Sequence, residues 1–129
     1  MRQFSVKVLD DKDREFVEVL RDLGIPRNVA SMITYLANVD EATSREIEIG
    51  SNLRQPEVSI AMRTLRNNEW VEEKEIKKDG KGRPMKVYRL TISLEEIIRH
   101  FEDEKKREST RVMENIDRLK DLSRKLSSS

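Results

Sequence analysis

The run from Thr43 to Arg89 leaves this chain few ways to fold. Thr43-Ser44-Arg45-Glu46 has the pattern of a capping box, in which a hydroxyl and a carboxylate three residues apart satisfy the free amides that open a helix. Ala42 and Ile47 flank it as a hydrophobic staple. The helix so started must be short, because Gly50-Ser51-Asn52 interrupts it about two turns later. Beyond that turn, Val58, Ala61, Met62 and Leu65 fall at i, i+3, i+4 and i+7 and mark one buried stripe on a second helix, which Asn67-Asn68 closes. Two helices this close, joined by a turn with a glycine, fit a helix-turn-helix better than an ordinary bundle hairpin.

A hairpin follows. Trp70, Val71 and Ile76 read as a strand, Asp79-Gly80-Lys81-Gly82 as a flexible turn, and Met85 to Ile92 as the returning strand with Tyr88 and Leu90 on one face. Upstream, the alternation of Phe4, Val6 and Val8 suggests a short extended arm. Asp10 to Asp13 load a helix N-terminus with negative charge, Phe16, Leu20 and Leu23 share a face, and Gly24 ends that helix. Pro26 opens the next, with Val29, Met32, Ile33, Leu36 and Ala37 at helical spacing.

Ser93-Leu94-Glu95-Glu96 is a second capping box, with Ile92 and Ile97 as its staple, and nothing breaks a helix from there to Leu126. A heptad count puts Ile98, Lys105, Val112, Leu119 and Leu126 at one seam position and Phe101, Glu108, Asn115 and Leu122 at the other. Met113 and Ile116 widen the seam beyond the Lys105–Glu108 interruption. A helix this long and otherwise this polar needs a second surface, and a second copy of the chain supplies one. The residues expected to pair are Ile98, Phe101, Val112, Ile116, Leu119, Leu122 and Leu126. The expected fold is mainly α with a small β-hairpin wing: a winged helix-turn-helix over 1–92, a long C-terminal dimerisation helix (a coiled coil) over 93–126, and a disordered tail over 127–129.

With the stripe on the second helix turned inward, Gln55, Pro56, Ser59, Ile60 and Arg63 face outward, preceded by Arg54. Gln55 suits adenine edges, Arg63 guanine or a phosphate, Ser59 base or backbone, and Ile60 a thymine methyl. Thr43, Ser44 and Arg45 support the motif. Arg54 stands where a capping Ser, Thr, Asp or Asn is usual, so a phosphate bound by Arg54 and the free amides is expected to take over that role. The direction of Glu57 stays open. Lys77, Lys78, Lys81, Arg83 and Lys86 surround the hairpin tip against a lone Asp79, which suits sequence-independent attraction to a polyanion; an edge hairpin kept soluble by lysines is the alternative. Net charge is only +1, but residues 54–89 hold 10 basic and 6 acidic side chains, whereas residues 1–53 hold 7 and 10. The excess sits where the motif does.

Leu23-Gly24-Ile25, Thr43-Ser44-Arg45-Glu46-Ile47, Gln55-Pro56-Glu57-Val58-Ser59, Leu65 followed by Glu69-Trp70-Val71, and Tyr88-Arg89-Leu90-Thr91 together resemble archaeal winged-helix transcriptional regulators of the TrmB-like, MarR-like and ArsR-like groups. The resemblance covers roughly residues 20–92. It implies a dimer on a promoter operator, with residues 54–68 in the major groove and the wing beside the minor groove. The chain carries no counterpart of the sugar-binding domain of long TrmB-like proteins, nor the thiolate metal sites of many ArsR-like ones, which leaves any small-molecule effector undefined.

Other chemistry has little support. There is no cysteine, which removes disulfides and thiolate metal sites, and His100 is the only histidine. It reads as a packing or helix-surface residue, or as a pH sensor at a dimer interface. The acidic residues lie in helix first turns and i,i+4 patterns, where solvation puts them, so neither enzymatic activity nor a cofactor or metal is expected. No apolar run approaches a membrane span and no signal-peptide core opens the chain, so a cytoplasmic protein without membrane contact is expected. The function expected is sequence-specific binding of double-stranded DNA as a homodimeric repressor on a pseudo-palindromic operator. The alternative is a winged-helix adaptor between proteins in a transcription, replication or segregation assembly, since one fold serves both. RNA binding lacks an aromatic stacking platform, because Trp70 and Tyr88 both read as core.

Overall fold

The computed structural model of the chain describes residues 8–77, 82 and 84–128. Its elements are α1 (Asp11–Asp22), α2 (Arg27–Ala37), α3 (Ser44–Ser51), α4 (Gln55–Asn67), β1 (Val71–Ile76), β2 (Met85–Leu90) and α5 (Leu94–Ser127). The chain divides between Ser93 and Leu94 into two compact units. The first has the order and pairing of a winged helix-turn-helix; the second is the long helix.

In the first unit, α2 is the axis. Val29 through Leu36 are all buried, and α2 packs against α1, α3, α4 and β2. A helix covered on every side must satisfy its polar groups internally, and Thr34 does so by donating from Oγ1 to the Ala30 carbonyl at 2.8 Å. The expected α2 stripe is borne out except at Ala37, which is exposed, and it omits Tyr35, which is 1% exposed. In α1 the inward residues are Val17 and Leu20 with half-buried Phe16; Leu23 is exposed, because the helix has ended by then.

Three helices in this unit end the same way, with a left-handed residue whose N–H and the next N–H turn back onto carbonyls of the last turn. In α1 that residue is Gly24 (φ 94°), with Gly24 N–H on Arg21 O and Ile25 N–H on Leu20 O. In α3 it is Asn52 (φ 56°), with Leu53 N–H on Glu48 O at 3.0 Å. Gly50 and Ser51 therefore belong to α3, and Asn52 is what stops it. In α4 it is Glu69 (φ 61°), with Glu69 N–H on Arg66 O and Trp70 N–H on Leu65 O, each at 2.9 Å. Trp70 is thus the residue that closes the helix, buried over its end beside Leu65, and not the first strand residue that its aromatic character suggested.

The Thr43 capping box forms as expected: Glu46 N–H donates to Thr43 Oγ1 at 3.2 Å and Thr43 N–H to Glu46 Oε1 at 3.0 Å. Ala42 and Ile47 are 1% and 0% exposed, as a staple requires. Ala42 also exchanges both backbone hydrogen bonds with Tyr88, so it adds a one-residue third strand to the antiparallel hairpin. The hairpin register runs from Val71 opposite Leu90 to Ile76 opposite Met85. Val87 and Tyr88, neighbours on opposite faces of β2, are both buried.

The second unit is 34 residues of continuous helix. It ends at Ser127, one residue beyond the expected limit, where the hydroxyls of Ser127 and Ser128 donate to the carbonyls of Arg124 and Lys125. Residues 1–7 and 129, which include the expected arm and the end of the tail, lie outside the described residues; Val8 is exposed and outside any strand.

Glu69 gives the fold a sharp test. A left-handed backbone costs a residue with a Cβ about 1–2 kcal/mol that glycine does not pay. Glu69→Gly is therefore expected to match or exceed the parent in chemical denaturation, and Glu69→Val to fall below it by about 1 kcal/mol or more. Equal loss in both would mean that the side chain, and not the backbone, matters at this corner.

Candidate nucleic-acid interface

α4 presents its outward face because its other face is committed. Val58, Ala61, Met62 and Leu65 are all buried, the stripe that the spacing predicted. Gln55, Pro56, Ser59, Ile60 and Arg63 are exposed, as is Arg54 before them. Gln55 Nε2 donates to Ser59 Oγ at 3.0 Å, one turn along, so these two polar groups act as a pair. Ile60 is 57% exposed on the same face.

The start of α4 is pinned from α2. Arg27 donates from Nη1 to Glu57 Oε2 and from Nη2 to the Asn52 carbonyl, both at 3.3 Å, and Asn28 Nδ2 donates to the Glu57 carbonyl at 3.3 Å. Glu57 Oε1 accepts from the Arg54 amide at 2.9 Å. This is half a capping box, because a guanidinium has no lone pair with which to return the bond. Pro56 has no N–H, and no side chain caps the helix, so the first-turn amides of Gln55 and Glu57 keep their donors. The direction of Glu57 is now defined: it turns back on its own helix and towards Arg27.

The described basic side chains of residues 54–89 fall into two sets. Arg66 pairs with Glu73 at 2.9 Å and lies 5.7 Å from the centre of the Tyr88 ring, tying α4 to both strands. Lys74 pairs with Glu41 at 3.6 Å, and Arg89 pairs with Glu72 across the hairpin. These three are struts, and they neutralise the carboxylates nearest the hairpin base. Arg54, Arg63, Lys77 and Lys86 are exposed and have no ion-pair partner among the described residues. Every member of the second set is a residue that the sequence marked as a candidate DNA contact.

The remaining candidates divide by position. Thr43 caps α3, Ser44 is its half-buried first residue, and Arg45 is exposed with Glu48 3.9 Å away. Lys78, Lys81 and Arg83 lie outside the described residues. Gly82, at the tip, has φ 108°, which favours glycine, and open space where a Cβ would sit. Arg27, Asn28 and Arg66 are the residues that sequence reasoning missed, since each acts on a partner distant in sequence and has no local signature.

On α5, Ile98, Val112, Ile116, Leu119, Leu122 and Leu126 are all exposed, Leu119 to 65%. Phe101 is only 7% exposed. Lys105 and Glu108, which interrupt the seam, pair with each other at 3.2 Å. His100 pairs with Glu104 at 3.2 Å and stands edge-on to Phe101. Among the described residues no helix is long and apolar enough to cross a membrane, and no three acidic or histidine side chains are grouped to hold a metal.

No protein-family model matches the chain, and no curated protein is similar to it in sequence. Solved structures do share its fold. A protein of Methanosarcina mazei Go1 described as a "possible transcriptional regulator" superposes with a TM-score of 0.58 at 14% identity, over 88% of this chain and 97% of that one. A MarR family regulator from Neisseria meningitidis gives 0.47 at 20% identity, over 89% and 87%. Pex from Synechococcus sp. gives 0.45 at 18% identity, over 77% and 96%. The first likeness shows a shared fold; the other two are too loose to add to it.

The two sets of basic residues are separable by stability alone. Arg66→Ala is expected to cost about 1 kcal/mol in urea denaturation, because it removes a half-exposed ion pair and a ring contact together. Arg63→Ala is expected to stay within about 0.5 kcal/mol of the parent. Equal losses would remove the distinction between struts and unpaired cations.

Proposed function

We propose that the chain is a sequence-specific double-stranded DNA-binding transcriptional regulator that works as a homodimeric repressor on a pseudo-palindromic operator. The observation that carries this reading is the division of charge just described. Glu57, Glu73, Glu41 and Glu72 are matched by Arg27, Arg66, Lys74 and Arg89, while Arg54, Arg63, Lys77 and Lys86 face solvent with no ion-pair partner among the described residues and outnumber the exposed Glu69 and Glu75, which have none either. Unpaired cations along a groove-sized helix and a neighbouring hairpin attract phosphates and release counterions.

In this reading α4 lies in the major groove. Gln55, held by Ser59, reads an adenine edge, Arg63 a guanine or a phosphate, and Ile60 a thymine methyl. Arg54 and the free amides of Gln55 and Glu57 take a backbone phosphate at the helix N-terminus. Lys77 and Lys86 carry the wing to the backbone beside the groove. Two copies pair through the exposed apolar residues of α5, chiefly Val112, Ile116, Leu119, Leu122 and Leu126. Their recognition helices then meet successive major grooves about 34–36 Å apart. An adaptor that binds protein in place of DNA would need an apolar docking face on α4, where Ile60 is the one large apolar side chain facing outward.

Selection from a random duplex library tests the reading as a whole. A two-fold symmetric motif is expected, and recovery of no enriched sequence would refute specific recognition. Arg63→Ala is expected to cost about 1–3 kcal/mol in affinity and to relax preference at one position of each half-site. Lys77→Ala and Lys86→Ala should weaken all sequences alike and each lower the salt slope by about 1. Leu119→Glu is expected to give a monomer in sedimentation at micromolar concentration; a parent protein already monomeric there would refute the homodimer.

A further inference from the structure

The two edges of the apolar seam on α5 differ in charge. Val112, Leu119 and Leu126 share one heptad position and Asn115 and Leu122 the other, and all five are exposed. The residue before each member of the first row is basic: Arg111, Arg118 and Lys125. The residue after each member of the second row is uncharged: Ile116 and Ser123. The three cations are exposed and have no ion-pair partner among the described residues. Of the carboxylates about one turn away, Glu114 pairs with none of them and Asp121 takes Arg124 at 3.2 Å.

This asymmetry separates the two ways of laying a second copy on the seam. In a parallel pair each basic edge faces the uncharged edge of the other copy, so that Arg111 meets Ile116 and Arg118 meets Ser123. The aliphatic stem of Arg111 then covers Ile116. In an antiparallel pair of the same stretch the basic edge faces itself. Arg118 then meets Arg118, and Arg111 meets Lys125 twice. Like charges opposed across an interface select against that arrangement. A reversed register that reaches above Val112 draws Lys105 or Glu108 into the seam, and those two are already bonded to each other at 3.2 Å. Asn115 adds the register. It is exposed, and its amide has no hydrogen-bond partner among the described residues. In a parallel pair without offset it meets its counterpart, and the two amides bond. With an offset of one heptad it meets Leu122, and in the antiparallel pair it meets another apolar seam residue.

We infer that α5 pairs with a second copy of the chain as a parallel, unshifted coiled coil over residues 112–126, with direction set by the basic edge and register by Asn115. This rests on the homodimer part of the proposed function and adds direction and register to it. Both chains then enter the pair from the same end. The chain has no cysteine, so single introduced cysteines report neighbours cleanly. Val112 and Leu126 lie fourteen residues apart, about 21 Å along the helix. A disulfide needs Cα atoms within about 7 Å, so an antiparallel pair can set at most one of these two positions against itself. The experiment takes the full-length protein with Val112→Cys, Leu126→Cys or, on the opposite side of the helix, Asp117→Cys. Parent and reduced variants are sedimented, and chain concentration is raised until each variant of a dimeric parent is itself dimeric. The variants are then oxidised in a glutathione buffer and read on non-reducing gels. Most of the chain is expected to link through Val112→Cys and equally through Leu126→Cys, and little through Asp117→Cys. Linkage through only one of the first two, or through neither, in a dimeric protein would overturn the parallel direction and leave the homodimer standing. Equal linkage through Asp117→Cys would overturn the pairing face. A monomeric parent would overturn the homodimer and this arrangement with it. Asn115→Leu is expected to associate more tightly and to sediment as a mixture that includes species larger than a dimer. A single dimeric species there would remove Asn115 as the residue that sets the register.

Discussion

The burial of α2 from Val29 to Leu36 is the constraint on which the first unit depends. Eight consecutive buried residues require neighbours on every side, and α1, α3, α4 and β2 are those neighbours. Burying a single side chain of the size of Ile33 or Leu36 is worth about 1.5–3 kcal/mol, so α2 sets the places of the elements around it. Its small residues matter as much. Ala30, at 0% exposure, lets a neighbour approach, and Thr34 hides its hydroxyl against the helix's own backbone. The exposed first turn of α2 then has a second task, because Arg27 and Asn28 reach from it to the start of α4. One helix thus both fills the core and aims the helix that faces outward.

That aim is accompanied by an economical use of charge. Carboxylates occur all round the motif, and left unmatched they would repel a phosphate backbone. Glu57 is met by Arg27, Glu73 by Arg66, Glu72 by Arg89 and Glu41 by Lys74. These pairs are at least partly exposed, and each contributes little stability, about 0–1 kcal/mol. Their larger effect is on the field: they cancel four of the acids locally, so that Arg54, Arg63, Lys77 and Lys86 outweigh the exposed Glu69 and Glu75 that remain.

What the sequence made legible was local. The Thr43 capping box, the α4 stripe and the hairpin depend on residues a few positions apart, and periodicity or capping chemistry reports them directly. Gly24 announced its left-handed turn because glycine favours one, and Asn52 half announced its own. Glu69 gave no such sign: glutamate seldom adopts that conformation, so the end of α4 was placed by Asn67-Asn68 and Trp70 was assigned to the strand. The helical spacing of α2 indicated one stripe, not burial all round, since full burial is a property of the neighbours. Arg66 looked like any outward arginine until the hairpin brought Glu73 and Tyr88 to it. Arg27 lies thirty residues from Glu57, and no pattern in the sequence joins them. The candidate contacts on α4 were legible for the opposite reason: they are what remains once the stripe is assigned.

α5 carries the same logic into the proposed dimer. Residues 102–111 contain no apolar side chain, and their charges are in part spent on one another through Lys106–Glu102 and Lys105–Glu108. Such i,i+3 and i,i+4 pairs support a solvated helix at about 0.3–0.5 kcal/mol each, so this stretch can stand without a partner. The stretch from Val112 to Leu126 cannot make the same claim, because it exposes Val112, Met113, Ile116, Leu119, Leu122 and Leu126 along one side. On the homodimer reading the contact therefore begins about 16 Å along the helix from Phe101, at 1.5 Å per residue. On the same reading the charged stretch in between is a spacer rather than a defective seam. The Lys105 and Glu108 pair, which looks like an interruption when the helix is counted in heptads, then lies inside this stretch and is satisfied within its own helix, so it asks nothing of a second copy.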